Sequence, residues 1–357
     1  DVTLSGGGAT TDGTGIIQDN DPASLSVSDQ SVTEGGNITF TVTLSGNVQD
    51  AFDIDYETND VSASSLSNSD YSAQSGTLSF TGSAGEFYAV IVPTTNNSIV
   101  EPEESFELNF SAITNALVSY DAQAIGTIED NDEATISLTG FSVTEPDVDQ
   151  TKNFTVSINR EAQEDIVVSF AATPDDALET NDYELQTATA TISAGNTSTS
   201  IPITIVGDNV VEPQEDFSGT IAVSNANGQT VNNGTLSRTI TINDDDNATI
   251  AINSPAAETE GNVIDFTVTL IGSVQNEFTI DYLTDDDSAE EPGDYTAISA
   301  TTLTFGASRD PSQTISVTTI DDSDIEPQES FYVDLQSLST GGQNITNTVF
   351  QGTGTIN

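Results

Sequence analysis

The sequence predicts an all-β chain of tandem antiparallel β-sandwiches strung into an elongated rod. Two observations predict it. Apolar and polar residues alternate with a period of two, and a set of sequence markers returns in one register every 111 to 114 residues. In "NITFTVTLSG", Ile38, Phe40, Val42 and Leu44 fall on one face and Thr39, Thr41, Thr43 and Ser45 on the other. "NFTVSI" and "DFTVTLIG" repeat the device with Phe154, Val156, Ile158 and Phe266, Val268, Leu270. Such alternation of β-branched and aromatic residues is that of a strand with one buried face. About seven such runs per unit, separated by turn-rich segments, match a sandwich, and no amphipathic helix is evident.

The repeat is read from an acid knot and three further markers. The knot occurs as Asp19-Asn20-Asp21, Asp130-Asn131-Asp132 and Asp244-Asp245-Asp246, at intervals of 111 and 114 residues. "SVTEGG", "SVTEPD" and "AETEGN" keep the same phase, as do "SDY", "NDY" and "GDY", and "VEPEESF", "VEPQEDF" and "IEPQESF". Units of this length are domain-sized, each with its own core. They are placed at 22–132, 133–246 and 247–357. Residues 1–21 read as the last strand of a preceding unit, and the third unit stops where another acid knot is due. Both ends therefore read as cuts within a longer array.

The chain carries 58 acids against four basic residues, a formal charge of -54, with no His, Cys, Met or Trp. Nucleic acid is excluded as a partner because no basic patch exists to meet phosphate. With no run of 18 apolar residues, no direct membrane insertion is expected. Cations are the natural partners, and the lack of oxidation-prone residues suits an extracellular setting.

The acids gather at strand ends. In the first unit Glu34 follows the first strand, Asp60 follows "DIDYET", Glu101 and Glu104 lie in "VEPEESF", and Asp130 and Asp132 close the unit. Strand ends of a sandwich collect at two poles, so these carboxylates are expected at one of them. Like charges 4 Å apart repel by roughly 1 kcal/mol in water and roughly 4 kcal/mol at an effective dielectric of 20. A hard divalent cation relieves this, and an all-oxygen donor set suits Ca2+. Mg2+ fits less well because of its strict octahedron, and zinc is disfavoured without His or Cys. The Asp of the "DY" markers (Asp70, Asp182, Asp294) reads as a turn cap and its Tyr as core.

Together, the "TE" after the first strand, the "DY" marker, the "EPxExF" segment and the terminal acid knot resemble the Calx-beta domain family across residues 22–357. The resemblance implies seven-stranded immunoglobulin-like sandwiches that bind several Ca2+ ions in loops at one end. It implies a ligand set of Glu34, Asp60, Glu101, Glu104, Asp130 and Asp132 in the first unit, with Asp19 and Asp21 as the knot ahead of it. In the second unit the set is Glu145, Asp175, Asp208, Glu212, Glu215, Asp244, Asp245 and Asp246. In the third it is Glu260, Asp286, Asp321, Asp322, Glu326 and Glu329. Where the third unit has Asp321-Asp322, the second has Gly207-Asp208 and the first Asn96-Asn97, so the first unit is expected to bind fewer or weaker ions.

Tandem arrays of this family occur in large bacterial surface proteins, including gliding-motility adhesins of the Bacteroidetes type. The resulting expectation is a Ca2+-stiffened stalk segment at the cell surface. Its partners are Ca2+, the neighbouring repeats of the same chain, and cell-surface or secretion machinery. The alternatives are a regulatory Ca2+ sensor, as in sodium/calcium exchangers, and an enzyme using paired carboxylates. The enzyme reading is disfavoured because the acids recur in every unit.

Overall fold

The computed structural model describes residues 20–66, 69–306 and 311–357. Asp19 and nearly all of the 1–21 segment expected as a preceding strand lie outside them. The chain forms two compact units. The first runs through residue 133 and takes in 162–164 and 227–230; the second holds 134–161, 165–226 and 231–357. No helix occurs among the described residues.

The first unit is a sandwich of two sheets. One is four-stranded, in the order Phe87–Pro93, Asn37–Ser45, Ala23–Ser26, Val118–Tyr120. The other is five-stranded, in the order Gln30–Thr33, Gln123–Glu129, Glu104–Ser111, Phe52–Asp60, Ser75–Phe80. The alternation seen in the sequence is the cause of this architecture. Ile38, Phe40, Val42 and Leu44 are all buried, facing Phe106, Leu108 and Ile54 in one cluster.

There are more strands than the expected seven, and not every pair is antiparallel, because the first strand is split between the sheets. Ala23–Ser26 pairs parallel with Val118–Tyr120 in one sheet, and Gln30–Thr33 pairs parallel with Gln123–Glu129 in the other. The crossing between them would strand backbone donors. Asp121 Oδ2 accepts Val27 N–H at 3.2 Å and Asp29 Oδ1 accepts Ile125 N–H at 2.7 Å, so carboxylates replace the missing ladder.

The second unit contains two further sandwiches. One has the sheet orders Tyr183–Leu185, Ser198–Ile205, Gln150–Ile158, Ala134–Thr139, Val231–Asn233 and Val143–Thr144, Ser237–Asn243, Glu215–Asn225, Ile166–Pro174, Thr189–Ile192. The other has Ser312–Thr318, Val263–Ile271, Ala248–Ile252, Ile345–Val349 and Thr301–Phe305, Phe278–Asp286, Glu329–Ser339, Gln351–Ile356. Within this unit, Val210–Val211 pairs parallel with Ser273–Val274, and Val211 joins the core of the last sandwich.

Each core centres on one aromatic trio. Tyr71 stacks on Phe106 with centroids 4.3 Å apart, and Phe40 meets Phe106 edge-on at 6.1 Å. Tyr183, Phe217 and Phe154 repeat this at 4.2 and 6.3 Å, and Tyr295, Phe331 and Phe266 at 4.5 and 5.9 Å. Each Tyr belongs to a "DY" marker, so the aspartate before it is carried to the edge of the core.

Candidate metal centre

The parallel pairing of the split strand brings the acids together. Thr33 lies opposite Glu129 in a parallel ladder, so both chains leave the sheet at the same pole. Glu34 N–H then donates to the Glu129 carbonyl at 2.9 Å, and Glu34 and Asp130 come to lie side by side. Glu104 opens an antiparallel strand opposite Ile128, which places it at that pole too. Glu145 N–H donates to Asn243 O at 2.7 Å and repeats the arrangement in the second repeat.

Two carboxylate trios result in the first unit. One oxygen each of Glu34, Asp130 and Asp132 lie within 4.8 Å of one another, and so do one oxygen each of Asp70, Glu101 and Glu104. In the second unit the trios are Asp147, Asp245, Asp246; Asp182, Glu212, Glu215; and Asp294, Glu326, Glu329. Backbone amides shape the knots. Asp130 Oδ1 accepts Asp132 N–H at 2.9 Å and its Oδ2 accepts Glu101 N–H at 2.8 Å; Asp244 does the same for Asp246 at 3.0 Å and Glu212 at 3.1 Å.

Of the expected ligands, Glu34, Glu101, Glu104, Asp130, Asp132, Glu212, Glu215, Asp245, Asp246, Glu326 and Glu329 are brought into trios. Glu145 is buried beside Asp208 and Asp244, whose charges add to its desolvation. Glu260 Oε2 accepts Asp322 N–H at 3.4 Å, and Asp321 lies against Gly261.

Four expected ligands sit elsewhere. Asp60 and Asp286 accept the hydroxyls of Tyr71 and Tyr295, each at 2.6 Å, and cap loops through Ser65 N–H and Glu291 N–H, each at 3.0 Å. The place of Asp60, opposite Phe106, is held in the second repeat by Pro174, opposite Phe217, so exposed Asp175 falls one residue beyond it. Asp21 is exposed and in none of these trios.

Asp70, Asp182 and Asp294, read from sequence as turn caps alone, also belong to the trios. Each caps a loop as well. Asp70 Oδ2 accepts Ser64 N–H at 2.6 Å, Asp294 Oδ2 accepts Glu290 N–H at 2.7 Å, and Asp182 caps Leu178 N–H likewise. The other oxygen of Asp70, Oδ1, is buried without a hydrogen-bond partner.

The electrostatics follow from burial. Desolvation first, then neighbouring acids, raises Glu101, Glu104, Glu145 and Glu215 to about 7 and Glu212 to about 8. Glu34 is raised for the same reasons, with Asp130 and Asp132 adding to the effect. Two buried oxygens, Glu34 Oε1 and Asp70 Oδ1, have no hydrogen-bond partner, although their residues are only 6% and 5% exposed. Such groups are costly to leave unpaired. Five trios, in a chain with four basic residues, have too few cations of their own to neutralise them. Hard, all-oxygen donors from several loops fit a divalent cation of the Ca2+ type.

Sandwiches in tandem, with carboxylates from separate loops converging at one pole of each, define an all-β repeat protein with an oxygen-donor site on every repeat. The Calx-beta domain profile matches residues 18–132, 129–246 and 243–356. The chain belongs to the Calx-beta domain family. Among solved structures it is similar to CBD12 from CALX1.2, with 18% identity, a TM-score of 0.29, and coverage of 62% of this chain and 99% of that one. It is also similar to the calcium binding domain CBD12 of CALX1.1, with 15% identity, a TM-score of 0.29 and the same coverage. A comparison with curated protein sequences gives no match.

Proposed function

We propose that this chain is a calcium-binding segment of a large secreted cell-surface adhesin or filament protein, a stalk that Ca2+ stiffens. The observation that carries the reading is the pair of buried, unpartnered carboxylate oxygens, Glu34 Oε1 and Asp70 Oδ1, each inside a trio of acids. A bound cation supplies the charge that those oxygens lack. Glu34, Asp130 and Asp132 would hold one ion and Asp70, Glu101 and Glu104 another; Asp182, Glu212 and Glu215, and Asp294, Glu326 and Glu329, are their counterparts. Tandem repetition of the same site supports a mechanical role, and a chain free of Cys, Met and Trp supports an extracellular one. Stabilisation by an ion grows with its concentration relative to the dissociation constant, so millimolar extracellular Ca2+ serves even weak sites.

Thermal unfolding in CaCl2 and in EDTA tests the reading. Calcium should raise the melting temperature clearly, and E212Q/E215Q should lower the number of ions bound in calorimetry. Identical melting in both buffers would reject it.

A further inference from the structure

Two trios receive a glutamine from outside the loops that build them. In the second unit, Gln275 Nε2 donates to Glu212 Oε1 and to Glu215 Oε1, each at 3.0 Å. Gln275 belongs to the third repeat, and its backbone is fixed onto the second: Ser273–Val274 pairs with Val210–Val211, and Gln275 N–H donates to Val211 O at 3.0 Å. Buried Gln343 braces the next residue, accepting Asn276 N–H at 2.9 Å and donating to Asn276 O at 3.0 Å.

The first unit carries the same device. Gln163 Nε2 lies 2.9 Å from Glu104 Oε1 and 3.5 Å from Glu101 Oε1, and Gln163 N–H donates to Val100 O at 2.9 Å. Gln229 braces Glu164 as Gln343 braces Asn276, at 3.1 Å in both directions. This trio also holds Asp70 Oδ1, buried and without a partner.

A neutral amide suits a cation site. It draws two glutamates toward one point and eases their repulsion, yet leaves the negative charge that a cation needs; a Lys there would cancel it. The third repeat supplies the contrast. No side-chain amide is seen to reach Glu326 or Glu329 among the described residues, and that trio is more exposed: Glu326 is open to solvent, whereas Asp182 and Glu215 are each 6% exposed.

We propose that Gln275 and Gln163 are positioning residues for the cation sites Asp182–Glu212–Glu215 and Asp70–Glu101–Glu104, Gln275 reaching its site from the following repeat of the same unit. The inference rests on the calcium reading above. By reciprocity, an ion that binds better with Gln275 in place also tightens the attachment of the third repeat.

The test is Ca2+ calorimetry, with melting in CaCl2 and in EDTA, on the full chain and its Q275A and Q275E variants. Q275A should weaken one class of sites about fivefold or more, the scale of an ordinary coupling free energy, and should shrink the gain in melting temperature from Ca2+. Q275E should melt lower in EDTA, through added repulsion, and show a larger gain from Ca2+. A glutamine that only packs the junction would lower melting equally in both buffers, and that result with wild-type affinities overturns the proposal. Absence of Ca2+ uptake by the wild-type chain sinks the calcium reading itself, whereas uptake that Q275A leaves unchanged sinks this inference alone. Q163A repeats the measurement on the other trio, so a Q275 variant that folds poorly does not decide the matter.

Discussion

The Tyr71 hydroxyl donates to Asp60 Oδ1 at 2.6 Å while its ring lies stacked on Phe106. Tyr295 and Asp286 repeat the bond. In the second repeat Pro174 stands where Asp60 would be, and the buried Tyr183 hydroxyl has no partner. The three tyrosines thus pack alike but differ in what their hydroxyls meet.

That difference predicts opposite outcomes for one substitution. Y71F removes a hydrogen bond to a carboxylate and should destabilise by about 1.5–3 kcal/mol. Y183F removes a hydroxyl that is buried to no advantage, so it should be neutral or stabilising. Urea midpoints of the two variants check this, and equal losses would refute the assignment. D60N should leave the number of bound Ca2+ ions unchanged, because Asp60 is engaged by Tyr71 and by Ser65 N–H.

The raised glutamates make stability depend on pH in a direction set by the ion. Without Ca2+, the folded chain keeps protons on Glu101, Glu104, Glu145 and Glu215 up to about pH 7 and on Glu212 up to about 8. The unfolded chain loses them near the ordinary value of 4.5. The folded state therefore binds more protons across this window, and stability falls as pH rises through it. Stability in EDTA should be greater at pH 5 than at pH 8, and E212Q should flatten the slope. In CaCl2 the trend should weaken or reverse, since ions displace those protons. A flat EDTA profile would show that the trios stay ionised throughout.

What could be read in the sequence, and what could not, follows from how each feature is encoded. The buried face of Ile38, Phe40, Val42 and Leu44 was legible because a period of two can be met by one structure only. Glu34, Glu101, Glu104 and Asp130 were legible as companions because strand ends must collect at a pole. Asp70 was half-legible: one carboxylate caps a turn and also joins a cluster, and local sequence shows only the first of these roles. At Asp60 the charge was visible in the sequence, and the Tyr71 hydroxyl that its Oδ1 accepts was not. Gln163 and Gln275 carry no charge and lie about 60 residues from the glutamates they meet, so acidity does not mark them. Their signal was present in "EAQED" and "SVQNE", which share a register with "NVQDA" at Gln49.

The uneven acids ahead of the "EP" segment were read as differences in ion capacity, and the structure supplies a steric reason for part of that pattern. Gly35, at φ 76°, lies under Asn96, and a Cβ on it would come within 2.9 Å of Asn96 Cβ; Gly261, at φ 78°, lies under Asp321 in the same way. In the second repeat the small residue has changed sides. Pro146 replaces the glycine, and a Cβ on Gly207 would lie 2.0 Å from the Pro146 carbonyl oxygen. The atoms crowding Gly207 are backbone, the Pro146 carbonyl oxygen and the Val148 nitrogen and carbonyl carbon, so the loop itself leaves no room for an acid there. G207D should therefore destabilise the second repeat, by about 1–3 kcal/mol as for other overpacked sites, in spite of its extra carboxylate. Replacing Pro146 by glycine should not restore the loss, because the carbonyl oxygen stays in place. Urea unfolding of G207D and of G207D/P146G measures both effects. A G207D chain as stable as the parent would show that the two loops part here at no cost.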